Sequence, residues 1–193
     1  MIPDTGIILA GGQSKRMGQD KLFLKIGKET FLEKQYRILN KIFKSVFISV
    51  HKKNNQIPYP QIEDKFNAGS LGGIYSSLLF VKKPLFVVAV DMPFITIESV
   101  KTIISYYNDN IDIVIPELKR RLEPLFAVYS PECLTQMKEL IEKEDFRIIN
   151  FFHSVKTKII PQNEFTDIDK KLTFLTNINN PEIYEKLLKG EIN

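Results

Sequence analysis

The sequence predicts one α/β domain with three layers, in which a mostly parallel, twisted sheet carries helices on both faces. Short apolar runs alternate with amphipathic segments in the first half, as in parallel strands joined by crossover helices. The run 85–90 is apolar, rich in valine and unbroken, as a central strand covered on both faces should be. With 193 residues, 44% of them hydrophobic, the chain can bury one sizeable core. No repeat or linker divides residues 1–193.

The first half of the chain contains a strand, a helix and a second strand before the central strand. Ile7-Ile8-Leu9 predicts the first strand, and Gly27-Lys28 predicts a turn. Thr30 is a suitable cap for a helix with apolar positions at helical spacing. The remaining predicted elements here are a helix over 31–42, a strand over 46–50, a loop over 52–60, a short extended piece over 61–64, and a helix over about 73–80.

The second half predicts a β-ribbon and several shorter elements. Two strand candidates, 113–116 and 125–129, are separated by the charged stretch 117–123, which indicates a hairpin or ribbon beside the sheet. Pro131 is expected to open a helix with Ser130 as its cap. The other predicted elements are a helix over 97–107, a short helix over 147–152, a strand near 155–160, an extended piece over 174–178, and a terminal helix led by Asn180-Pro181.

Composition limits the classes of partner. Lysine and arginine (27) exceed aspartate and glutamate (23) by only 4, and they are scattered, which indicates a solvated surface and not a nucleic-acid patch. The single cysteine, Cys133, excludes an intramolecular disulfide and fits a reducing compartment, so we expect a cytoplasmic protein. The apolar stretch 6–10 is far shorter than the roughly 20 residues of a membrane span, so no membrane association is expected.

The segment from Leu9 to Lys21 is suited to bind a polyphosphate. It follows a predicted strand, and ligands of open α/β sheets lie beyond the carboxyl ends of strands. Its glycines allow close backbone approach, and Lys15, Arg16 and Lys21 supply positive charge. Neither a P-loop nor a G-x-G-x-x-G motif is present. From these residue types alone, a flexible basic turn remains the alternative.

Asp91 is the strongest candidate for a metal ligand. It follows the apolar run 85–90, which would direct its carboxylate toward the phosphates, and Mg²⁺ prefers carboxylate, phosphate and water oxygens. The alternative is that Asp91 caps the helix that begins near Ile97 or stabilises the Met92-Pro93 turn. Asp64, before a second glycine-rich stretch, could equally belong to a surface turn.

Several motifs together resemble those of the molybdenum cofactor guanylyltransferases. The segment 9–21 is similar to the signature loop of that family, which combines Leu-Ala-Gly, Arg-Met-Gly and a lysine. Later motifs appear in the family order and extend the resemblance over nearly the whole chain. They are Gly69-Ser70-Leu71-Gly72-Gly73-Ile74, Asp91-Met92-Pro93-Phe94, Glu123-Pro124-Leu125-Phe126-Ala127-Val128-Tyr129 and Asn177-Ile178-Asn179-Asn180-Pro181-Glu182.

The resemblance implies a Rossmann-like nucleotidyltransferase fold and transfer of GMP from GTP to molybdopterin, with release of pyrophosphate. It implies that Mg²⁺ is held by Asp91. We expect Lys21 and Arg16 to neutralise the departing pyrophosphate. The nucleotide contacts that it implies are Leu9, Ala10, Gly11, Lys21, Asp64 and Asp91. The chain departs from the family pattern at Ser70, where proline is usual, and at Ser49, where some members have asparagine; both positions concern the identity of the base.

The acceptor side is expected in the C-terminal half. Asn177 and Asn179 alternate on a predicted extended segment and could face one cleft, although turn chemistry before Asn180-Pro181 is the alternative. Arg147 matches one arginine of a family pair, with Phe146 at the other position. Arg120 and Arg121 precede the Glu123 motif and could bind a phosphate or form a solvated turn.

Two other classes of function stay open from the sequence. A cytidylyltransferase or a sugar-phosphate nucleotidyltransferase could use the same loop, and a carrier protein could bind nucleotide or molybdopterin without turnover. We expect a monomer that makes transient contacts with cofactor-biosynthesis or molybdoenzyme-maturation proteins. His51, His153 and Cys133 have no partners at ligand spacing and are expected to be surface or packing residues.

Overall fold

A computed structural model describes residues 2–11 and 21–191, with only the backbone of Lys21. The strands are β1 (Thr5–Leu9), β2 (Lys25–Ile26), β3 (Glu29–Thr30), β4 (Ser45–Val50), β5 (Gln61–Glu63), β6 (Leu85–Ala89), β7 (Ile113–Leu118), β8 (Arg121–Leu122), β9 (Phe126–Tyr129) and β10 (Thr157–Pro161). The α-helices are α1 (Phe31–Leu39), α2 (Gly69–Val81), α3 (Ile97–Ser105), α4 (Leu134–Glu142) and α5 (Pro181–Leu188). Short 3₁₀ helices cover Lys21–Phe23, Pro131–Cys133, Ile148–Ser154, Gln162–Phe165 and Thr173–Leu175.

Seven strands follow one another across the main sheet in the order β10-β7-β9-β6-β1-β4-β5, and β8 pairs with β7. Strands β6, β1, β4 and β5 are mutually parallel, with Ile7 of β1 opposite Phe47 of β4 and Val87 of β6. Strand β9 is antiparallel to both of its neighbours. The predicted mostly parallel sheet is therefore confirmed, and the carboxyl ends of β1, β4, β5 and β6 lie at one edge.

Helices cover both faces of the sheet, as predicted. Successive side chains of a strand point to opposite faces, so Ile8 packs with α1, α3 and α5, whereas Ile7 packs with α2 and α4. The same alternation separates Phe86 from Val87 in the central strand β6. Both faces of the sheet are thus buried, which explains the continuous apolar run at 85–90.

Helix α1 begins where the sequence places it. The Thr30 hydroxyl accepts the Glu33 N–H at 3.1 Å, and the Glu33 carboxylate accepts the Thr30 N–H at 2.7 Å. This reciprocal capping box satisfies two backbone donors that have no partner inside the helix. The turn predicted at Gly27-Lys28 joins β2 and β3 just before it.

Helix α2 begins at Gly69, four residues before the predicted start near Gly73. Glycine is a poor helix former, and the sequence pattern therefore favoured a start after the glycines. Their place in the helix has a packing reason, because α2 crosses close to the ends of β4 and β5 at Gly72 and Gly73. Asn67 and Gly69, with φ of 47° and 59°, turn the chain into the helix.

Other differences lie in the second half. The ribbon predicted beside the sheet over 113–129 is instead part of the sheet. Strands β7 and β9 pair with each other inside it, and the two-residue β8 pairs with β7. The segment after Ser130 opens as a 3₁₀ turn, and the Ser130 side chain makes no capping hydrogen bond. The prediction of an extended piece over 174–178 is wrong, because Thr173–Leu175 is a 3₁₀ helix. The Asp169 carboxylate accepts the Phe174 N–H at 3.2 Å and stabilises that turn.

Candidate functional site

Predicted site residues from distant parts of the sequence follow the carboxyl ends of parallel strands. Ala10 and Gly11 follow β1, and Asp64 follows β5. Asp91 follows β6 with one residue, Val90, between them. Since these strands are parallel and neighbouring, the residues lie along one edge of the sheet. In open α/β sheets this edge is where ligands bind.

The start of the glycine-rich loop is held between two strand ends. The Ala10 N–H donates to the Ser49 carbonyl at 2.8 Å, and the Leu9 carbonyl accepts the Val90 N–H at 3.0 Å. These bonds continue the β1–β4 and β1–β6 ladders past the ends of the strands. Gly11 therefore leaves the sheet from a fixed position beside His51, whose backbone nitrogen would lie 3.4 Å from a Cβ at residue 11.

Strand β2, which follows the loop, is held by the C-terminal helix. The Tyr184 hydroxyl of α5 accepts the Lys25 N–H at 3.2 Å and donates to the Lys25 carbonyl at 3.0 Å. The Tyr184 ring also makes an edge contact with Phe31, at the start of α1. Residues 12–20, including Arg16, and the Lys21 side chain lie outside the described residues, so the roles assigned to Arg16 and Lys21 stay predictions.

Asp64 is a buried carboxylate and does not lie on an exposed surface turn. Its side chain is 8% exposed. Oδ1 accepts the Phe66 N–H at 2.9 Å and the Ser76 hydroxyl at 3.2 Å. The backbone N–H of Asp64 donates to the Val50 carbonyl at 2.7 Å, which ties it to the end of β4. Ser76, one helical turn beyond the glycines, is a contact that sequence reasoning missed.

Two glycines allow helix α2 to approach this edge. A Cβ on Gly72 would lie 2.8 Å from Asp64 Oδ2 and 2.9 Å from Oδ1. A Cβ on Gly73 would lie 2.9 Å from Ser49 Oγ and 3.1 Å from Leu9 Cδ2. Any larger side chain would push the helix away from the strand ends. The N-terminus of α2 has no side-chain cap.

Ser49 lies beneath helix α2. It is 1% exposed, and its Oγ lies 3.5 Å from the Gly73 carbonyl oxygen. The position where some family members carry an asparagine is thus filled here by a small side chain that packs between β4 and α2.

Asp91 lies in a tight turn that closes strand β6. The Met92 N–H donates to the Ala89 carbonyl at 3.1 Å, which makes Asp91 the third residue of a four-residue turn. The Val90 N–H binds Leu9, and the Asp91 carbonyl accepts the Ile178 N–H at 2.8 Å. The turn therefore contacts Leu9, where the glycine-rich loop begins, and Ile178 in the C-terminal segment.

The alternative role of Asp91 as the cap of helix α3 does not hold. Thr96 caps that helix, since its hydroxyl accepts the Ser99 N–H at 3.0 Å and its own N–H donates to the Ser99 hydroxyl at 3.0 Å. The Asp91 side chain is not the N-cap of α3, and Asp91 is half-buried.

Glu123 places a second carboxylate near Asp91. One of its oxygens accepts the Leu125 N–H at 3.2 Å, and the other lies 3.5 Å from the Asn177 side-chain nitrogen. Burial raises the pKa of Glu123, and the negative charge of Asp91 raises it further, against the two hydrogen bonds. Sequence reasoning noted the Glu123 motif but did not assign this carboxylate to the site.

The predicted acceptor residues Asn177 and Asn179 flank a buried residue. Ile178 is fully buried beside Asp91, Asn177 is half-buried and contacts Glu123, and Asn179 is exposed. The segment is irregular and not a strand. Ile178 is buried, and its neighbour Asn177 lies next to the Glu123 carboxylate. Only Asn177 has a side-chain contact in this cluster that the structure specifies.

The arginines of the second half are exposed. Arg147 binds Asp145 through Nε at 3.0 Å, and its side chain is 77% exposed. This ion pair lowers the pKa of Asp145 to about 2, with help from the Asn150 amide. Arg120 lies in the two-residue turn between β7 and β8, where Lys119 and Arg120 have φ of 48° and 64°.

The oxygen donors at this edge fit a divalent cation that is completed by substrate oxygens. Asp91 and Glu123 supply carboxylates, and such hard donors suit Mg²⁺. Among residues 2–11 and 21–191, no three His, Cys, Asp or Glu side chains form a group that could hold a metal.

The remaining chemically distinctive residues lie elsewhere. His51 and His153 are exposed. Burial raises the pKa of the Cys133 thiol to about 12, which keeps it in its unreactive form. Within the part of the chain that the structure describes, no helix combines the length and the apolar character of a membrane span.

Known proteins share both the sequence motifs and the fold. Residues 6–155 match the family model of the MobA-like NTP transferase domain. The chain is 35% identical to a probable molybdenum cofactor guanylyltransferase of Natranaerobius thermophilus, over 96% of this chain and 95% of the relative. It is 32% identical to one of Pelotomaculum thermopropionicum, over 94% and 90%.

A solved structure agrees with the fold. The crystal structure of molybdopterin-guanine dinucleotide biosynthesis protein A from Archaeoglobus fulgidus has a TM-score of 0.82 to this chain. It covers 96% of this chain and 97% of its own, at 19% sequence identity.

Proposed function

The chain belongs to the MobA-like NTP transferase family, as one of its molybdenum cofactor guanylyltransferases, and from this premise we propose how its residues transfer GMP from GTP to molybdopterin. The resemblance noted in the sequence is thereby confirmed. The observation that carries the proposal is the turn at Asp91, which hydrogen-bonds both to Leu9 at the loop and to Ile178 at the acceptor segment.

The reaction requires no protein nucleophile. An oxygen of the terminal phosphate of molybdopterin attacks the α-phosphorus of GTP, a new P–O bond forms, and the bond to the β-phosphate breaks to release pyrophosphate. Such a displacement depends on in-line positioning and on neutralisation of charge. The sheet edge supplies the positioning, because it brings the loop, Asp91 and the acceptor segment together.

We assign the nucleotide to the N-terminal half. Backbone N–H groups of the loop from Leu9 to Lys21 hold the triphosphate, and Lys21 and Arg16 neutralise the departing pyrophosphate. Asp64 contributes to the nucleotide pocket through its buried carboxylate beneath the N-terminus of α2. Leu9, Ala10 and Gly11 form the base and ribose side of the loop.

We assign a divalent cation, Mg²⁺, to Asp91. When bound, it would neutralise charge on the triphosphate oxygens. Asp91 supplies the protein ligand, and the Glu123 carboxylate adds negative potential beside it. Substrate and water oxygens would supply its other ligands.

We assign the acceptor to the C-terminal half of the same single domain, 1–193. Asn177 lies next to Glu123 and can donate a hydrogen bond to a pterin or phosphate oxygen, and Asn179 adds an exposed amide two residues on. Arg147 supplies a cation for the acceptor phosphate, in competition with Asp145. We further propose that the enzyme is a cytoplasmic monomer that meets cofactor-biosynthesis or molybdoenzyme-maturation proteins transiently.

The loop assignment is tested by Lys21→Ala, with Lys28→Ala as the control, since Lys28 is an exposed lysine in the nearby β2–β3 turn. We expect Lys21→Ala to lose roughly 10²- to 10³-fold in the rate of pyrophosphate release, as for loss of one stabilising donor. Its urea unfolding curve should match that of the unsubstituted protein. Near-normal turnover by Lys21→Ala would refute the assigned role.

The choice of nucleotide is tested by supplying each of the four NTPs with molybdopterin and measuring pyrophosphate. GTP should give the highest kcat/KM. A preference for CTP would indicate a cytidylyltransferase. Tight binding of GTP and molybdopterin with no pyrophosphate from any NTP would indicate a carrier protein.

A further inference from the structure

Gln35, in the middle of helix α1, is a polar residue in an apolar setting. It is completely buried, among the residues that pack α1 against the sheet. Its side-chain nitrogen donates to two backbone carbonyls, Ala89 O at 2.8 Å and Met92 O at 2.8 Å. These carbonyls belong to the first and last residues of the four-residue turn that contains Asp91.

The orientation of the Gln35 amide follows from its partners. Both carbonyls can only accept, so the NH₂ group must face them and both of its hydrogens are used. The amide oxygen, Oε1, is then left buried without a hydrogen-bond partner among the described residues. A buried acceptor in that state costs free energy, and an apolar side chain would avoid this cost. Gln35 must therefore contribute through the two hydrogen bonds that its nitrogen makes to the Ala89 and Met92 carbonyls.

The nitrogen clamps the two ends of one turn. The turn is already closed by the Met92 N–H to the Ala89 carbonyl, and Gln35 joins the same Ala89 carbonyl to the Met92 carbonyl. Asp91 lies between them and itself makes a backbone bond to Ile178. A rotation of the Asp91 backbone would break bonds to α1 and to residue 178, so these bonds fix the backbone from which the carboxylate extends.

We propose that Gln35 is a positioning residue for Asp91, whose two carbonyl hydrogen bonds hold the carboxylate in the orientation that binds the cation–nucleotide complex. The inference rests on the proposed role of Asp91 as the cation ligand. Residues behind a metal ligand change metal affinity by roughly 10- to 100-fold when they are replaced. Gln35 touches neither substrate nor cation, and it acts through the backbone of the turn.

The test replaces Gln35 by methionine, which has a similar length and no donor. Gln35→Met removes both hydrogen bonds, so the Met92 carbonyl loses its Gln35 donor, but it also removes the unsatisfied Oε1. Because these two effects oppose each other, we expect at most a moderate change in urea unfolding. The affinity for Mn²⁺, measured by electron paramagnetic resonance in the presence of a non-hydrolysable GTP analogue, should fall roughly 10-fold or more. Gln35→Ala repeats the measurement if the methionine variant does not fold.

Two further variants separate the possible results. Ile38→Val, on the same helix and in the same apolar cluster, should bind Mn²⁺ as the unsubstituted protein does. Asp91→Asn should weaken Mn²⁺ binding at least as much as Gln35→Met. Unchanged Mn²⁺ affinity in Asp91→Asn would overturn the proposed function itself. Weaker binding in Asp91→Asn with unchanged binding in both Gln35 variants would overturn only the positioning role.

Discussion

The proposed nucleotide side of the site and its proposed acceptor side are built differently. On the nucleotide side, parallel strands end together, Asp64 is buried, and glycines bring α2 against the strand ends. On the acceptor side, Asn179 and Arg147 are exposed and lie on irregular segments, Arg147 just before the 3₁₀ helix Ile148–Ser154. Burial fixes the first side before any ligand arrives, whereas surface contacts shape the second. Substitutions should therefore affect turnover or stability strongly on the nucleotide side and weakly on the acceptor side.

The largest effect is expected where the two sides meet, at Asp91. Asp91→Asn keeps the size of the side chain and its turn but removes the negative charge. We expect kcat to fall roughly 10²- to 10³-fold, because asparagine would bind the cation that neutralises the triphosphate less well. Pyrophosphate release measures the loss.

A control variant shows whether the loss of kcat is specific to Asp91. Asp167→Asn, an exposed aspartate in the C-terminal half, should leave kcat unchanged. Full activity of Asp91→Asn at saturating Mg²⁺ would contradict the role of Asp91 as the cation ligand between the two sides.

The next effect tests the packing of the nucleotide side. Gly72→Ala would place a Cβ 2.8 Å from one Asp64 oxygen and 2.9 Å from the other, so either the helix or the carboxylate must move. Overpacking of this kind destabilises by about 1–3 kcal/mol. Urea unfolding gives the stability, and GTP-analogue binding should weaken in parallel because α2 moves away from the strand ends.

Asp64→Ala supplies the matched comparison through a double-mutant cycle. If the cause is contact with the carboxylate, Gly72→Ala should cost less in the Asp64→Ala background than alone, because the two residues are in contact. Additive effects would show that the clash lies elsewhere and would weaken the claim that burial organises this side.

Substitution of Glu123, which lies between the two sides, should have a smaller effect on stability. Burial and the Asp91 charge raise its pKa in the folded protein. The folded state then binds the Glu123 proton more tightly than the unfolded state does. The stabilisation from this proton is complete below the unfolded pKa and is lost as pH rises through the folded pKa.

Glu123→Gln should therefore raise the urea midpoint of metal-free protein at pH 7.5 and leave it nearly unchanged at pH 4. The shift should be smaller than that of Gly72→Ala, since Glu123 is only half-buried and keeps two hydrogen bonds. An equal gain at both pH values would indicate that repacking, and not charge, is the cause.

The same contrast explains how far the sequence could predict the molecule. Strand and helix positions follow from apolar periodicity, and parallel strands bring Gly11 and Asp91 to one edge by geometry. The Gln35 clamp has no local signal, since its carbonyl partners lie 54 and 57 residues away. The extended segment predicted over 174–178 failed because the Asp169 side chain stabilises a local turn that apolar patterning does not register.

The smallest effect is expected at Arg147 on the acceptor side. Its ion pair with Asp145 holds the pKa of that carboxyl at about 2, below its unfolded value. The stabilisation from this pair is present above the unfolded pKa and is lost as pH falls from about 4 to about 2. Because the pair is exposed, solvent screens it and little stability depends on it at neutral pH.

Arg147→Gln should move the Asp145 pKa back toward an ordinary carboxyl, as followed by NMR titration. The KM for GTP should not change, because we assign Arg147 to the acceptor. If Arg147 binds the acceptor phosphate, the KM for molybdopterin should rise several-fold, since one charge-assisted contact is lost. Asp145→Asn frees Arg147 and should lower that KM. A change in the KM for GTP, with the KM for molybdopterin unaltered, would place Arg147 on the nucleotide side.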